Sequence, residues 1–193
     1  PTLSFVGSMS ASRWGTDTIQ GRTVNTLRFQ RDGRITGSMS GTSVPINDAS
    51  RTLGGWFKAT QSGGNGPFGW GASGCNNAYY LGLYSSPQLL LDQWCQTEGV
   101  NPIIESYQLN RWYHVVVTYD RSSNRNTAYL DGSYVRSGTP DQRPSTNANS
   151  SNAGAACCSA SEPGLDGTGD DGTGPTGRPI GVFLCGMMRL GLF

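Results

Sequence analysis

The stretch of this sequence richest in chemistry lies between positions 68 and 94. There, Phe68, Trp70, Asn76, Asn77, Tyr79, Tyr80, Tyr84, Asp92, Gln93 and Trp94 fall within twenty-seven positions. An aromatic face accepts the apolar side of a sugar ring, and neighbouring Asn, Asp or Gln groups bind its hydroxyls. Strand alternation puts Leu81 and Leu83 on one face, with Tyr80, Gly82 and Tyr84 on the other. If the leucines enter the core, the tyrosines line an open surface beside a glycine gap. Trp70, Asn77, Tyr80, Asp92 and Trp94 are the residues expected to touch a carbohydrate, and about half of the aromatics should be ordinary packing.

Catalytic constellations are scarce. His114 is the sole histidine, no second base or serine nucleophile elbow accompanies it, and it is expected to be a packed strand residue. Cys75, Cys95, Cys157, Cys158 and Cys185 lack the paired spacings of a zinc site and read better as disulfide formers. Cys75 and Cys95 flank a hairpin, while Cys185 can pair with either Cys157 or Cys158. An oxidising compartment, extracellular or at a cell surface, follows. Asn149-Ser150-Ser151 is an acceptor sequon for N-glycosylation.

The elements that position these residues are strands. No window of eleven or more residues carries helical periodicity without a Gly or Pro interrupting it. Short β-branched and aromatic runs recur at 3–6, 24–29, 52–58, 78–84, 89–94, 112–119, 126–130, 133–135, 180–185 and 187–193. Asp32-Gly33 is expected to close a hairpin after Phe29, and Asp131-Gly132 to join Leu130 to Ser133. In 112–120, both alternating faces carry bulk, so that strand should be central, with Trp56 and Trp112 in or near the core.

The chain has 193 residues, 28 of them Gly, 14% charged residues and a net charge of +1, so it is long enough for a real core and rich in turns. Lys58 is the single lysine among scattered arginines, which gives no basic stripe for nucleic acid. No apolar run is long enough to cross a bilayer as a helix, and direct membrane insertion is not expected. Beginning at Pro1, the chain reads as a processed form or a piece of a longer protein. Residues 138–178 are almost wholly Gly, Ser, Thr, Asn, Asp, Ala and Pro, a composition that predicts loop.

Trp112-Tyr113-His114-Val115-Val116-Val117-Thr118-Tyr119-Asp120, followed by Tyr129-Leu130-Asp131-Gly132, resembles the W-x-H-V-x-V-T-Y-D and Y-x-D-G pattern of laminin G-like jelly-roll domains in the concanavalin A-like lectin/glucanase superfamily. Leu27-Arg28-Phe29 with Asp32-Gly33 is similar to their entry strand, and Thr52-Leu53-Gly54-Gly55-Trp56-Phe57-Lys58 to their F-T-x-x-x-W-x-K strand. Phe183 to Phe193 is similar to the closing strand, departing at Arg189. The similarity runs over 25–193, with 138–178 as an insertion.

The resemblance implies an all-β, two-sheet antiparallel jelly-roll sandwich: a single domain over 1–193, an appended module of a larger secreted or surface protein. It implies a non-catalytic recognition module that binds carbohydrate. The alternative is a structural or adhesive module held in an assembly through 138–178, with a protein partner in place of a glycan. The superfamily's retaining glycosidases draw two carboxylates from one strand as E-x-D-x-E. Glu98, Glu105 and Glu162 lack that spacing, so no hydrolysis is expected. Family members also hold Ca²⁺ at a loop end. Asp166, Asp170 and Asp171, with glycines between them, are the candidate oxygen ligands, and no other cofactor is implied.

Overall fold

The computed structural model describes residues 2–6, 14–27, 34–38, 45–60, 62, 67–71, 75–93, 95, 97–146 and 153–154. In these the chain forms twelve strands and no helix. They are β1 (Thr2–Val6), β2 (Trp14–Ile19), β3 (Arg22–Leu27), β4 (Arg34–Ser38), β5 (Arg51–Lys58), β6 (Phe68–Gly71), β7 (Ala78–Leu83), β8 (Leu89–Asp92), β9 (Trp112–Asp120), β10 (Arg125–Leu130), β11 (Ser133–Gly138) and β12 (Ala153–Gly154). All pairings are antiparallel, in sheets ordered β11-β10-β9-β5, β6-β7-β8, β1-β4-β12 and β2-β3.

β9 lies between β10 and β5, as its two-faced bulk requires. Tyr113, Val115, Val117 and Tyr119 are buried on one face, while Trp112, His114, Val116 and Thr118 are half-buried on the other. The buried row meets Leu53 and Phe57 of β5 and Ala128 of β10. Facing it across the core are Phe68, Trp70, Tyr79, Leu81, Leu83, Leu89 and Leu91 from the β6–β8 sheet. Val100, Ile103, Ile104 and Tyr107 close one side. Fully burying each such aliphatic side chain contributes roughly 1.5–3 kcal/mol, which makes this two-sheet interface the main source of stability.

On the outer face of β5 and β9, Trp56 packs against His114 at 4.9 Å between ring centroids. The Lys58 ammonium lies 5.2 Å from the Trp112 ring centroid and pairs with Asp17 of the β2–β3 hairpin. Both tryptophans are therefore half-buried under neighbours rather than central in the core.

The Asp131–Gly132 turn forms as expected, with φ of 50° and 82° at its two residues. Asp131 fastens it by accepting the His114 amide at 2.9 Å and pairing with Arg111 at 3.0 Å. The Asp32-Gly33 turn, expected to close a hairpin after Phe29, lies outside the described residues. β3 spends its ladder on β2, through a two-residue turn at Gln20–Gly21 with φ of 49° and 76°, and β4 pairs with β1. Positive φ at both turn positions matches strand twist, so the polar run at 16–18 becomes a hairpin arm despite its weak apolar signal.

The beginning of the Gly/Ser-rich 138–178 segment is not a loose loop. Residues 139–146 run across one end of the sandwich. Asp141 N donates to Thr97 O at 2.9 Å, Ser145 N to Asn76 O at 3.0 Å, and Asn47 N to Thr146 O at 2.7 Å. Each bond ties this strap to a different loop, so backbone pairing does the work that apolar side chains do elsewhere.

Candidate functional site

β7 displays the alternation its sequence requires: Tyr79, Leu81 and Leu83 enter the core, and Tyr80 is half-buried on the outward face with Gly82 beside it. Tyr84, just beyond the strand, is 38% exposed. Register places Tyr80 opposite Asp92 of β8 and Gly82 opposite Leu90. Asp92 Oδ2 accepts hydrogen bonds from both phenols, at 2.7 Å from Tyr80 and closely from Tyr84. One carboxylate therefore fixes two aromatic rings. Burial, reinforced by the Asp92 charge, holds the Tyr84 phenol above its ordinary pKa, so it stays protonated and donates across the physiological range.

The floor of this face requires glycine. A Cβ on Gly82 would lie 2.8 Å from the Tyr84 ring, and one on Gly69 would lie 2.0 Å from the Tyr80 Cβ. Without side chains there, the rings settle close to the sheet, Tyr80 half-buried and Tyr84 exposed at the edge.

Of the residues expected to touch carbohydrate, the fold brings Tyr80 and Asp92 together. Asn77 stands at the other end of β7, about 10 Å along the strand from Tyr80 by strand rise, and its Oδ1 accepts from Ser145 Oγ at 3.3 Å. Trp70 is a correction. It is 8% exposed, its ring centroid lies 5.7 Å from that of Tyr79 in the core, and its Nε1 donates to Pro45 O at 3.0 Å. It offers no face to a ligand. β6 pairs Trp70 with Tyr79, and directly opposite residues share a face, so both rings turn inward. Trp94, Asn149, Cys157, Cys158, Cys185, Asp166, Asp170 and Asp171 lie outside the described residues.

Cys75 and Cys95 are joined in a disulfide with Cα atoms 5.1 Å apart, stapling the loop before β7 to the one after β8. The same corner buries two polar groups whose burial the sequence does not reveal. Glu98 is only 5% exposed. Its Oε1 accepts the Gln93 amide at 3.1 Å, its Oε2 accepts Asn101 Nδ2 at 2.8 Å, and its carbonyl accepts Asn126 Nδ2 at 2.9 Å. Burial pushes the Glu98 carboxyl up to about 7, the charges of Asp92 and Asp141 push the same way, and the Gln93 amide opposes them. Gln93 is fully buried with neither side-chain polar atom partnered.

Arg51, likewise hidden in the sequence, is buried at the opposite end of the polar network. Its guanidinium lies 5.2–5.8 Å from the ring centroids of Trp70, Tyr79 and Tyr119 and donates to Thr146 Oγ1 at 2.7 Å, Ala49 O at 2.9 Å and Asn47 O. Burial pushes its pKa down to about 10, so it remains a cation at neutral pH. Outside it, Asp48, Ser50, Asp120, Arg121, Ser122 and Arg143 line a shallow polar depression. Asp48 pairs there with Arg121 at 3.0 Å and with Arg143 at 3.7 Å. Among the described residues, no cluster of three or more His, Cys, Asp or Glu side chains is arranged to hold a metal ion.

The described residues thus form an antiparallel sandwich with tyrosines on the outward side of its β7–β8 sheet. The family model of the laminin G type, described as the Concanavalin A-like lectin/glucanases superfamily, matches residues 29–171, and the chain belongs to that family. No curated protein matches the chain in sequence. Membership makes the chain a carbohydrate- or protein-binding module, in a family whose members are generally non-catalytic.

Proposed function

We propose that this chain is a non-catalytic, lectin-like module that binds carbohydrate on the outward face of β7 and β8. The observation that carries the reading is the Asp92 carboxylate gripping Tyr80 and Tyr84 over a floor without side chains at Gly69 and Gly82. Pre-ordered aromatic rings lose little rotamer entropy on binding, and the carboxylate supplies a strong acceptor for sugar hydroxyls. Glu98 speaks against hydrolysis, since both its oxygens are bonded inside the loop rather than presented at the surface. His114 is likewise packed on Trp56. The exposed disulfide supports a secreted or cell-surface setting.

A glycan array probed with the protein, with and without Ca²⁺, tests this reading. Retained hits that weaken at least tenfold in Asp92→Ala are expected, whereas an array empty under both conditions overturns it. The calcium proposal at Asp166, Asp170 and Asp171 is separate, checked by calorimetry with Ca²⁺ alone. For the adhesive alternative, the strap at 139–146 is already engaged by its own sandwich, so a protein partner would have to be held elsewhere.

A further inference from the structure

We infer that the Cys75–Cys95 disulfide is a site of thiol–disulfide exchange with a dithiol reductant, and that its reduction undocks the strap at 139–145 while the sandwich stays folded. Both cysteines are exposed, so a thiolate has access to the bond. The attacking thiolate joins one cysteine sulfur and displaces the other as a thiolate. The reductant's second thiol then displaces the first cysteine, so that two electrons and two protons pass to Cys75 and Cys95 and the reductant leaves as a disulfide.

The neighbours of the two cysteines are the residues on which the strap rests. The carbonyl of Asn76, next to Cys75, accepts Ser145 N and Ser145 Oγ, each at 3.0 Å, and its Nδ2 donates to Arg143 O. Thr97, two positions after Cys95, accepts the Asp141 amide at 2.9 Å. One covalent bond therefore sets the spacing of both ledges. It also lies beyond the β7–β8 ladder, which ends at Tyr80 and Asp92 and survives its loss.

This corner needs the bond to keep its shape. Asn76 and Cys95 both hold left-handed backbone, with φ of 63° and 58°, a conformation that costs residues other than glycine energy and persists only where the surroundings enforce it. The buried Asn76 Oδ1 and both polar atoms of the Gln93 side chain lack hydrogen-bond partners, so the corner is under-satisfied as well. Once reduced, the two segments relax apart and the ledges separate. The strap itself stays tethered. Gly138 lies directly on the Gly99 backbone, where a Cβ would sit 2.0 Å from Gly99 O, and Thr146 is held by Arg51 and by the Asn47 amide, each at 2.7 Å. Between those ends, the released span takes Arg143 away from Asp48 and from Arg121 O, which opens the polar depression, and takes Ser145 Oγ away from Asn77. Redox state thus sets the shape of two surfaces.

The test is amide hydrogen exchange on the full chain, comparing the oxidised protein with the protein in dithiothreitol and with a Cys75→Ser, Cys95→Ser double variant kept free of reductant, which separates this bond from the other cysteines. Protection at Asn76, Asp141 and Ser145 is expected to fall at least about tenfold in both reduced forms, with the amides of β9 unchanged. Mass spectrometry after alkylation in native buffer should find Cys75 and Cys95 labelled once dithiothreitol is present. Unchanged protection in the strap overturns the inference, as does failure of the two cysteines to label. Loss of protection in β9 overturns it too, because the bond would then be a staple for the whole fold.

Discussion

Arg51 and Glu98 are both buried charges at the margin of one core, and they are treated in opposite ways. The guanidinium is enclosed by three aromatic rings, accepted by two carbonyls and a hydroxyl, and keeps its charge at neutral pH. The carboxyl faces two other acids beside an unsatisfied amide. A buried charge with a full set of partners is an anchor, whereas one held by hydrogen bonds alone is poised. The Arg51 end joins β5, the 47–49 loop and the strap into one rigid unit. The Glu98 end ties β8, the 97–101 turn and β10 together through Gln93, Asn101 and Asn126.

That contrast breaks most readily at Arg51. Arg51→Ala would strand the Ala49 carbonyl, take one donor from Thr146 Oγ1 and from the Asn47 carbonyl, and strip three rings of their cation, a loss on the order of 4 kcal/mol. Chemical denaturation should show a large drop in midpoint, with residues 139–146 becoming sensitive to protease. A variant of near wild-type stability would mean the anchor is redundant.

Tyr79 lies between the two ends, its hydroxyl donating to Asn126 Oδ1 at 3.1 Å while Asn126 Nδ2 holds the Glu98 carbonyl. Tyr79→Phe keeps the ring against Arg51 but orphans a buried acceptor, at a cost of about 2 kcal/mol. Thermal unfolding of this variant combined with Asn126→Ala should be non-additive, because Asn126 is the group through which the Tyr79 hydroxyl reaches the Glu98 carbonyl. Strict additivity would separate the ends.

Next in size is the pH dependence of stability. The Glu98 pKa is 4.5 in its ordinary state and about 7 when folded, so between those values the native protein binds more protons than the unfolded chain. Stability is therefore greatest, as far as this group is concerned, below about pH 4.5, and declines as pH rises through 7. Allowing for partial solvent screening, the decline is on the order of 1–2 kcal/mol. Glu98→Gln should flatten this dependence and, because its NH2 faces a buried N–H donor where the carboxyl offered an acceptor, melt lower than wild type at acid pH.

The sequence makes the candidate face only half legible, for physical reasons. Period-two alternation around Leu81 and Leu83 is enough to aim Tyr80 and Tyr84 outward, and both-faced bulk in 112–120 is enough to centre β9. Trp70 defeats such reasoning because β6 is four residues long and two of them are glycine, so nothing in it records which way the ring turns. Its direction comes from pairing with Tyr79, a fact of register. Glu98 reads as an ordinary loop acid. Its burial depends on Asn126, twenty-eight positions away, and on a loop folded back against β8. Arg51 is hidden likewise, since Thr146 is ninety-five positions distant.

The smallest expected effect sharpens the contrast most. Tyr84 is partly exposed, so Tyr84→Phe removes one bond to Asp92 from a site where water can replace it, at a cost of about 0.5 kcal/mol. Tyr80→Phe removes the corresponding bond from a half-buried ring and should cost about 1 kcal/mol. Both variants keep the aromatic surface. If the face recognises sugar by stacking, array signals should persist in each and vanish only when the ring is lost, as in Tyr84→Ala. If instead the Asp92 carboxylate is the primary contact, freeing it from one phenol should leave binding level or tighten it. The Phe variants leave binding in place under either reading, so Tyr84→Ala beside Asp92→Ala divides the two: stacking loses its signal with the ring, hydrogen bonding with the carboxylate, at a surface no substitution at Arg51 can probe.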